Sequence, residues 1–180
     1  MNTKLSRESL LAVSHGRDSN PARSLSLASE AYTDPEWLKV EREQIFIKSW
    51  QYLCHEEKLR EPGNYLTSCV QGQSIVATRD RKGILRAFYN VCKHRGHELL
   101  TGEGELRKIV CPYHAWTYDL DGSFREARQS EFIENFNPQN FSLTPIKLEV
   151  FCHLVFVNLD PNARPLLEQS GGLHDEIMGY

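Results

Sequence analysis

Two mixed ligand pairs constrain this chain more than anything else in it: Cys92-Lys93-His94, sixteen residues, then Cys111-Pro112-Tyr113-His114. Each pair offers one thiol and one imidazole in the same order, so the fold must bring two separate loops to one place. Two thiolates and two imidazoles suit a two-iron cluster whose one iron is held by cysteines and the other by histidines. A tetrahedral zinc site also takes two Cys and two His, but its usual spacings pair Cys with Cys and His with His. A coincidence of four buried structural residues is the third reading, since free Cys is a common core residue.

In the cluster reading, Cys92 and Cys111 bind one iron and His94 and His114 the other. An added electron settles on the iron with neutral ligands, and imidazole ligation raises the potential above that of a four-cysteine cluster. Gly96, Gly102, Gly104 and Pro112 lie in or near the ligand loops, where inward-facing backbone N–H groups could reach the sulfurs; ordinary turn chemistry explains them equally well. Trp116 reads as an apolar cover or a core tryptophan, which are compatible roles. His97 is surplus to the ligand set and reads as a neighbour of the site or a surface residue.

The stretches Asn90–Leu100 and Cys111–Ser123 resemble the Rieske domain of the large subunits of Rieske non-haem iron oxygenases, as do Tyr32–Trp37, Glu41 to Trp50 and Glu61–Tyr65 upstream. The resemblance covers roughly residues 30 to 165. Respiratory-chain Rieske proteins carry an extra cysteine in each ligand loop and follow the last His with Gly-Ser. Here His97 and Tyr113 stand at the matching cysteine positions and Ala115-Trp116 follows His114. Ala115 departs from the Gly commoner in the oxygenases and leaves the subgroup open, with a lean toward the amine-oxidising branch.

The resemblance implies a Rieske [2Fe-2S] cluster that accepts one electron from a reductase or ferredoxin. It also implies a mononuclear Fe(II) site in a separate catalytic domain of the same or a neighbouring subunit, usually within a homotrimer. That iron takes two His and a carboxylate. After His114 only His153 and His174 remain, with Asp175 and Glu176 beside the second, and this is a poor match. The expectation is an electron-transfer domain of a dioxygenase or monooxygenase, acting on aromatic rings or on quaternary-ammonium and methyl groups, without the oxygen-activating site. A freestanding Rieske ferredoxin is the alternative, although such carriers are shorter and lack this lead-in.

Residues 1–30 mix Ser, Arg and Asn without period and read as a mobile or extended arm. Thr33 with Glu36 fits a capping box for a helix over about 35–48. Strand-like runs follow at Trp50–Cys54, Asn64–Val70, Ser74–Arg79, Leu85–Val91, Ile109–Cys111, Thr117–Asp119 and Phe124–Ala127, and Pro145–Leu159 reads as one or two buried strands. Asp80–Gly83 and Asp121-Gly122 read as hairpin turns. The expected class is therefore all-β with a short N-terminal helix. The resemblance adds a Rieske fold of antiparallel sheets over 31–165, with a small cluster-binding subdomain at about 90–125. Residues 166–180 read as an exit segment at the start of a further domain, so the chain looks like a fragment or a shortened gene product.

A net charge of −3 gives no electrostatic case for nucleic acid or an anionic membrane. No run approaches the roughly 18 apolar residues of a membrane span, and Met1 to Arg23 lacks the apolar stretch of a secretory signal. Cytoplasm is expected, with Cys54, Cys69 and Cys152 reduced.

Overall fold

The computed structural model describes residues 18–24, 26–127 and 134–180. The expected extended arm lies mostly outside these residues. Contacts divide the chain into two units, meeting between Lys48 and Ser49.

In the first unit, helical turns run over Glu30–Thr33 and Pro35–Glu41, and a π-helical turn continues over Arg42–Phe46. The capping residue is Asp34, not Thr33: the Glu36 N–H donates to Asp34 Oδ1 at 2.9 Å, with Pro35 at the first helical position. Thr33 instead turns its hydroxyl back to Ser29 O. Asp34 lies next to the proline whose fixed φ starts the helix, so its short carboxylate reaches the orphan donor that Thr33 would have capped.

The second unit is built of strands. β1 (Gln51–His55), β2 (Asn64–Val70), β3 (Gln73–Arg79), β4 (Leu85–Tyr89), β5 (Glu103–Glu105), β9 (Pro145–Phe151) and β10 (Leu154–Asn158) form one sheet in the order β1-β10-β9-β4-β3-β2-β5. Every pairing in it is antiparallel. β6 (Ile109–Val110), β7 (Thr117–Tyr118) and β8 (Phe124–Glu126) form a small second sheet. Cys54 of β1, Leu66 of β2, Ala77 of β3 and Val155 of β10 share one apolar cluster. β1 is at one end of the sheet order and β2 is next to the last strand at the other, so the sheet must curl on itself to bring them together.

The period-2 alternation of β3 and β4 decides what lies on each face. Ile75, Ala77 and Ala87 point into the curl with Leu66, Ile146, Val155 and Val157. Val76 and Phe88, paired across the ladder, point the other way and pack with Cys92, Cys111, Ile109, Tyr118, Leu120 and Leu143. Cys92 and Cys111 thus sit in a core founded on the outer face of the main sheet. Gly122, at φ +82° in the β7–β8 turn, lies against Phe88: a Cβ there would meet Phe88 carbons at 2.3 Å. Any side chain at 122 would push the small sheet off the large one.

The run Pro145–Leu159 resolves into two strands, parted by Cys152 and His153 at φ +49° and +63°. Two L-residues hold the left-handed conformations that hairpins of this kind usually give to Asn-Gly. Gly102 and Gly104 belong to the edge of the large sheet: Gly104 pairs with Tyr65, and Gly102 O accepts from both Thr67 N and Oγ1. Among the described residues no helix is long and apolar enough to cross a membrane.

Candidate metal centre

The two ligand loops are built alike. In the first, Cys92 N–H donates to His97 O at 2.8 Å, and Cys92 O accepts from Gly96 N–H at 3.0 Å. In the second, Cys111 N–H donates to Trp116 O at 2.8 Å, and Cys111 O accepts from Ala115 N–H at 3.0 Å. Each loop therefore closes from its cysteine to the fourth and fifth residues beyond, and each fourth residue is left-handed: Gly96 at φ +70°, Ala115 at +59°. With its N–H committed to Cys92 O, Gly96 does turn chemistry, while Pro112 is exposed on the second loop.

Both loops stand on hydrogen-bonded necks. The second springs from the β6–β7 ladder, Val110 opposite Thr117. The first leaves β4 at Asn90, which is fully buried. The Asn90 side chain donates to Leu100 O at 2.7 Å and accepts from Leu100 N–H at 3.1 Å, bridging the strands on either side of the loop.

These loops bring all four predicted ligands together. Cys92 and Cys111 are both buried and share one core cluster. Burial pushes the Cys92 thiol up, opposed by the hydroxyl of Tyr118. The His94 and His114 rings stand 4.8 Å apart between centroids, inclined at 69°. Burial, with His114 and Arg95 nearby, lowers the His94 pKa from its ordinary value, the direction that favours the neutral imidazole.

The decisive observation concerns the imidazoles. Nδ1 of His94 and Nδ1 of His114 are buried without a hydrogen-bond partner, and among the described residues they are the buried side-chain atoms left so. Buried polar atoms are almost always satisfied, and an orphaned pair on adjacent histidines is accounted for by metal. No three His, Cys, Asp or Glu among the described residues converge as they would around one ion. Two thiols and two imidazoles set as separate pairs fit the two irons of a [2Fe-2S] cluster better than a single tetrahedral zinc.

Residues 49–137 match the Rieske [2Fe-2S] domain. The chain belongs to that family. It is 41% identical over 160 residues to the carnitine monooxygenase oxygenase subunit of Escherichia coli K12, covering 88% of this chain and 43% of that protein. A quaternary ammonium Rieske monooxygenase in complex with L-carnitine superposes with a TM-score of 0.81 at 43% identity, over 83% of this chain and 43% of that one. Naphthalene 1,2-dioxygenase from Rhodococcus bound to indole gives 0.84 at 30% identity, over 94% and 39%. This Rieske chain thus spans about two-fifths of the length of these relatives, which are Rieske non-haem iron oxygenases.

Around the Rieske loops, Trp116 lies flat on His94, centroids 4.8 Å apart and planes within 6°. Tyr113 covers His114 at 3.8 Å, but tilted by 30° and with 55% of its surface exposed. His97 is exposed and adjoins Tyr113 at 5.6 Å. Sequence reasoning missed Tyr118, which is fully buried. Its hydroxyl accepts from Lys93 N–H at 3.0 Å and lies 3.3 Å from Cys92 Sγ, leaving its proton free to donate to the sulfur. Burial, then Cys92, raises the phenol well above its ordinary range and keeps that proton in place. The available signal was position: Tyr118 follows His114 by four residues, beyond a turn that points it back at the loops.

His153 and His174 are not brought to this site. His153 sits on the β9–β10 turn, 3.7 Å from Glu56, and His174 pairs with its neighbour Asp175 at 3.0 Å.

Proposed function

We propose that Cys92 and Cys111 hold one iron and His94 and His114 the other, and that this chain relays single electrons to the mononuclear iron of a quaternary-ammonium monooxygenase. When bound, the cluster supplies a one-electron couple whose reducible iron is on the histidine side. As imidazole ligands, His94 and His114 would leave the added charge unopposed by thiolate on that iron. Tyr118 directs its hydroxyl at Cys92, spreading charge from the sulfur. Trp116 and Tyr113 cover the imidazoles and limit water at the redox-active edge.

The pair of buried, unpartnered Nδ1 atoms carries the cluster assignment. The substrate class rests on identity: above 40% to oxygenases that handle carnitine, against 30% to the naphthalene enzyme. Relatives matched across most of this chain are oxygenase subunits, which favours an oxygenase relay over a freestanding ferredoxin. A reductase or ferredoxin would donate the electron. The recipient iron would lie in a catalytic domain of the same or a neighbouring subunit, arranged as a trimer. Cytoplasmic placement fits five free cysteines.

The test is reconstitution with iron and sulfide. Two irons and two sulfides per chain, with the electron paramagnetic resonance signal of a mixed-ligand two-iron cluster on reduction, are expected. Zinc binding without sulfide, or oxygen-dependent turnover of an organic substrate by this chain alone, would overturn the reading.

A further inference from the structure

Trp116 does not hold its place on His94 alone. Its ring is met edge-on by Phe124 at 5.3 Å and 73°, by Phe141 at 5.3 Å and 82°, and by Phe136 at 6.3 Å and 84°. Phe136 and Phe141 are themselves stacked, 4.7 Å apart and within 7° of parallel. Aromatic pairs in these edge-to-face and offset arrangements contribute beyond their buried area, and several edges on one ring prevent its rotation.

The segment that supplies Phe136 and Phe141 is fastened to the cluster-binding subdomain at its C-terminal end. Phe124 N–H donates to Ser142 Oγ at 3.2 Å, and Leu143 N–H donates to Gly122 O at 2.8 Å. Leu143 is buried in the same core as Cys92 and Cys111, and Lys93 of the first ligand loop reaches the hydroxyl of Thr144. Most of this segment lies beyond residue 137, where the match to the Rieske domain ends. His114 has a different neighbour, the largely exposed Tyr113.

We infer that residues 136–144 form a positioning strap: Phe141 and Phe136 fix Trp116, and Trp116 fixes the plane of His94. The two histidine ligands are therefore held unequally, one by a half-buried cluster of aromatic rings and one by a surface tyrosine. Phe141 is a positioning residue that acts through Trp116. This inference rests on the ligand assignment above, and the experiment separates the two: wild-type protein that takes up no iron and sulfide refutes that assignment, whereas the strap is judged on variants of protein that does.

The full 180-residue chain is loaded with iron and sulfide as wild type, Phe141→Ala, Phe141→Leu and Val155→Ala. Val155 lies in the core of the curled sheet, among Cys54, Leu59, Leu66 and Ala77, and serves as a destabilised control. Phe141→Ala should shift and broaden the resonance lines of the reduced protein and release iron about tenfold faster, the low end for residues that orient metal ligands. Phe141→Leu, which keeps most of the volume, should show the same changes at smaller amplitude, and it carries the test if the alanine variant does not fold. Val155→Ala should lower the melting temperature yet leave the reduced spectrum as in wild type. A wild-type spectrum and release rate in the foldable Phe141 variants would overturn the strap, as would an equal spectral change in Val155→Ala.

Discussion

The two ligand loops repeat one backbone design and differ in what surrounds it. Each closes its cysteine onto the fourth and fifth following residues, and each places a left-handed residue after its histidine. The first has glycine at the left-handed position, a fully buried asparagine at its neck and a ligand ring lying flat against tryptophan. The second has alanine there, rises from a two-stranded ladder, and has its ligand ring under an exposed tyrosine. One pattern of backbone hydrogen bonds thus presents a Cys and a His in each loop. The side chains around the loops pack one histidine ring against a tryptophan and leave the other beneath an exposed tyrosine.

Removing a ligand from either loop should have the largest effect and should test how far the likeness extends. Cys92→Ala and Cys111→Ala are each expected to lose iron and sulfide, and unchanged metal content in either would sink the ligand assignment. His94→Cys and His114→Cys should both lower the potential toward the roughly −400 mV of four-cysteine clusters where the protein still loads. They should differ in yield. His94→Cys also removes the ring that Trp116 stacks on, so less of it should retain iron; equal yields would show that the stack contributes nothing to assembly.

Tyr118→Phe is the next largest change and acts on the first loop's sulfur. Deleting the hydroxyl removes a donor to Cys92 Sγ and an acceptor for Lys93 N–H, while the ring and its packing remain. A hydrogen bond that favours the more negative state by about 1 kcal/mol corresponds to roughly 40 mV for one electron, so the potential should fall by about that much. Protein-film voltammetry would measure it. An unchanged potential would mean that the phenol serves only the Lys93 amide.

The two Cys/His pairs that we propose as ligands were legible in the sequence because metal chemistry depends on residue type and short spacing, which a linear reading preserves. Strands with clear alternation were legible too: Asn64–Val70 begins and ends where its pattern does. β5 was not, since Glu103, Gly104 and Glu105 are all exposed and carry no hydrophobic signal; pairing with β2 makes them a strand. The Cys152-His153 turn lacks glycine and asparagine, so nothing local announced its positive φ angles. Thr33 fitted a capping pattern, yet Asp34 was one residue nearer the donor. Phe136 and Phe141 were illegible as neighbours of the site because their relation to Trp116 spans twenty or more residues and exists only after the small sheet has folded.

The smallest expected effect is also the most direct comparison of the loops. Gly96 and Ala115 occupy equivalent left-handed positions, and an L-residue there costs about 1–2 kcal/mol, partly offset by glycine's greater freedom in the unfolded chain. A Cβ at Gly96 would meet nothing within 4 Å, so Gly96→Ala adds conformational strain without a steric clash. Gly96→Ala should therefore lower stability by about 1 kcal/mol and Ala115→Gly should raise it by a similar or smaller amount, shifts of about 3 °C in melting temperature for a chain of this size. Opposite signs would establish that one backbone requirement governs both loops. Were Ala115→Gly to destabilise instead, the alanine methyl would be contributing packing in the second loop that outweighs its strain, and the two loops would be alike in their hydrogen bonds only.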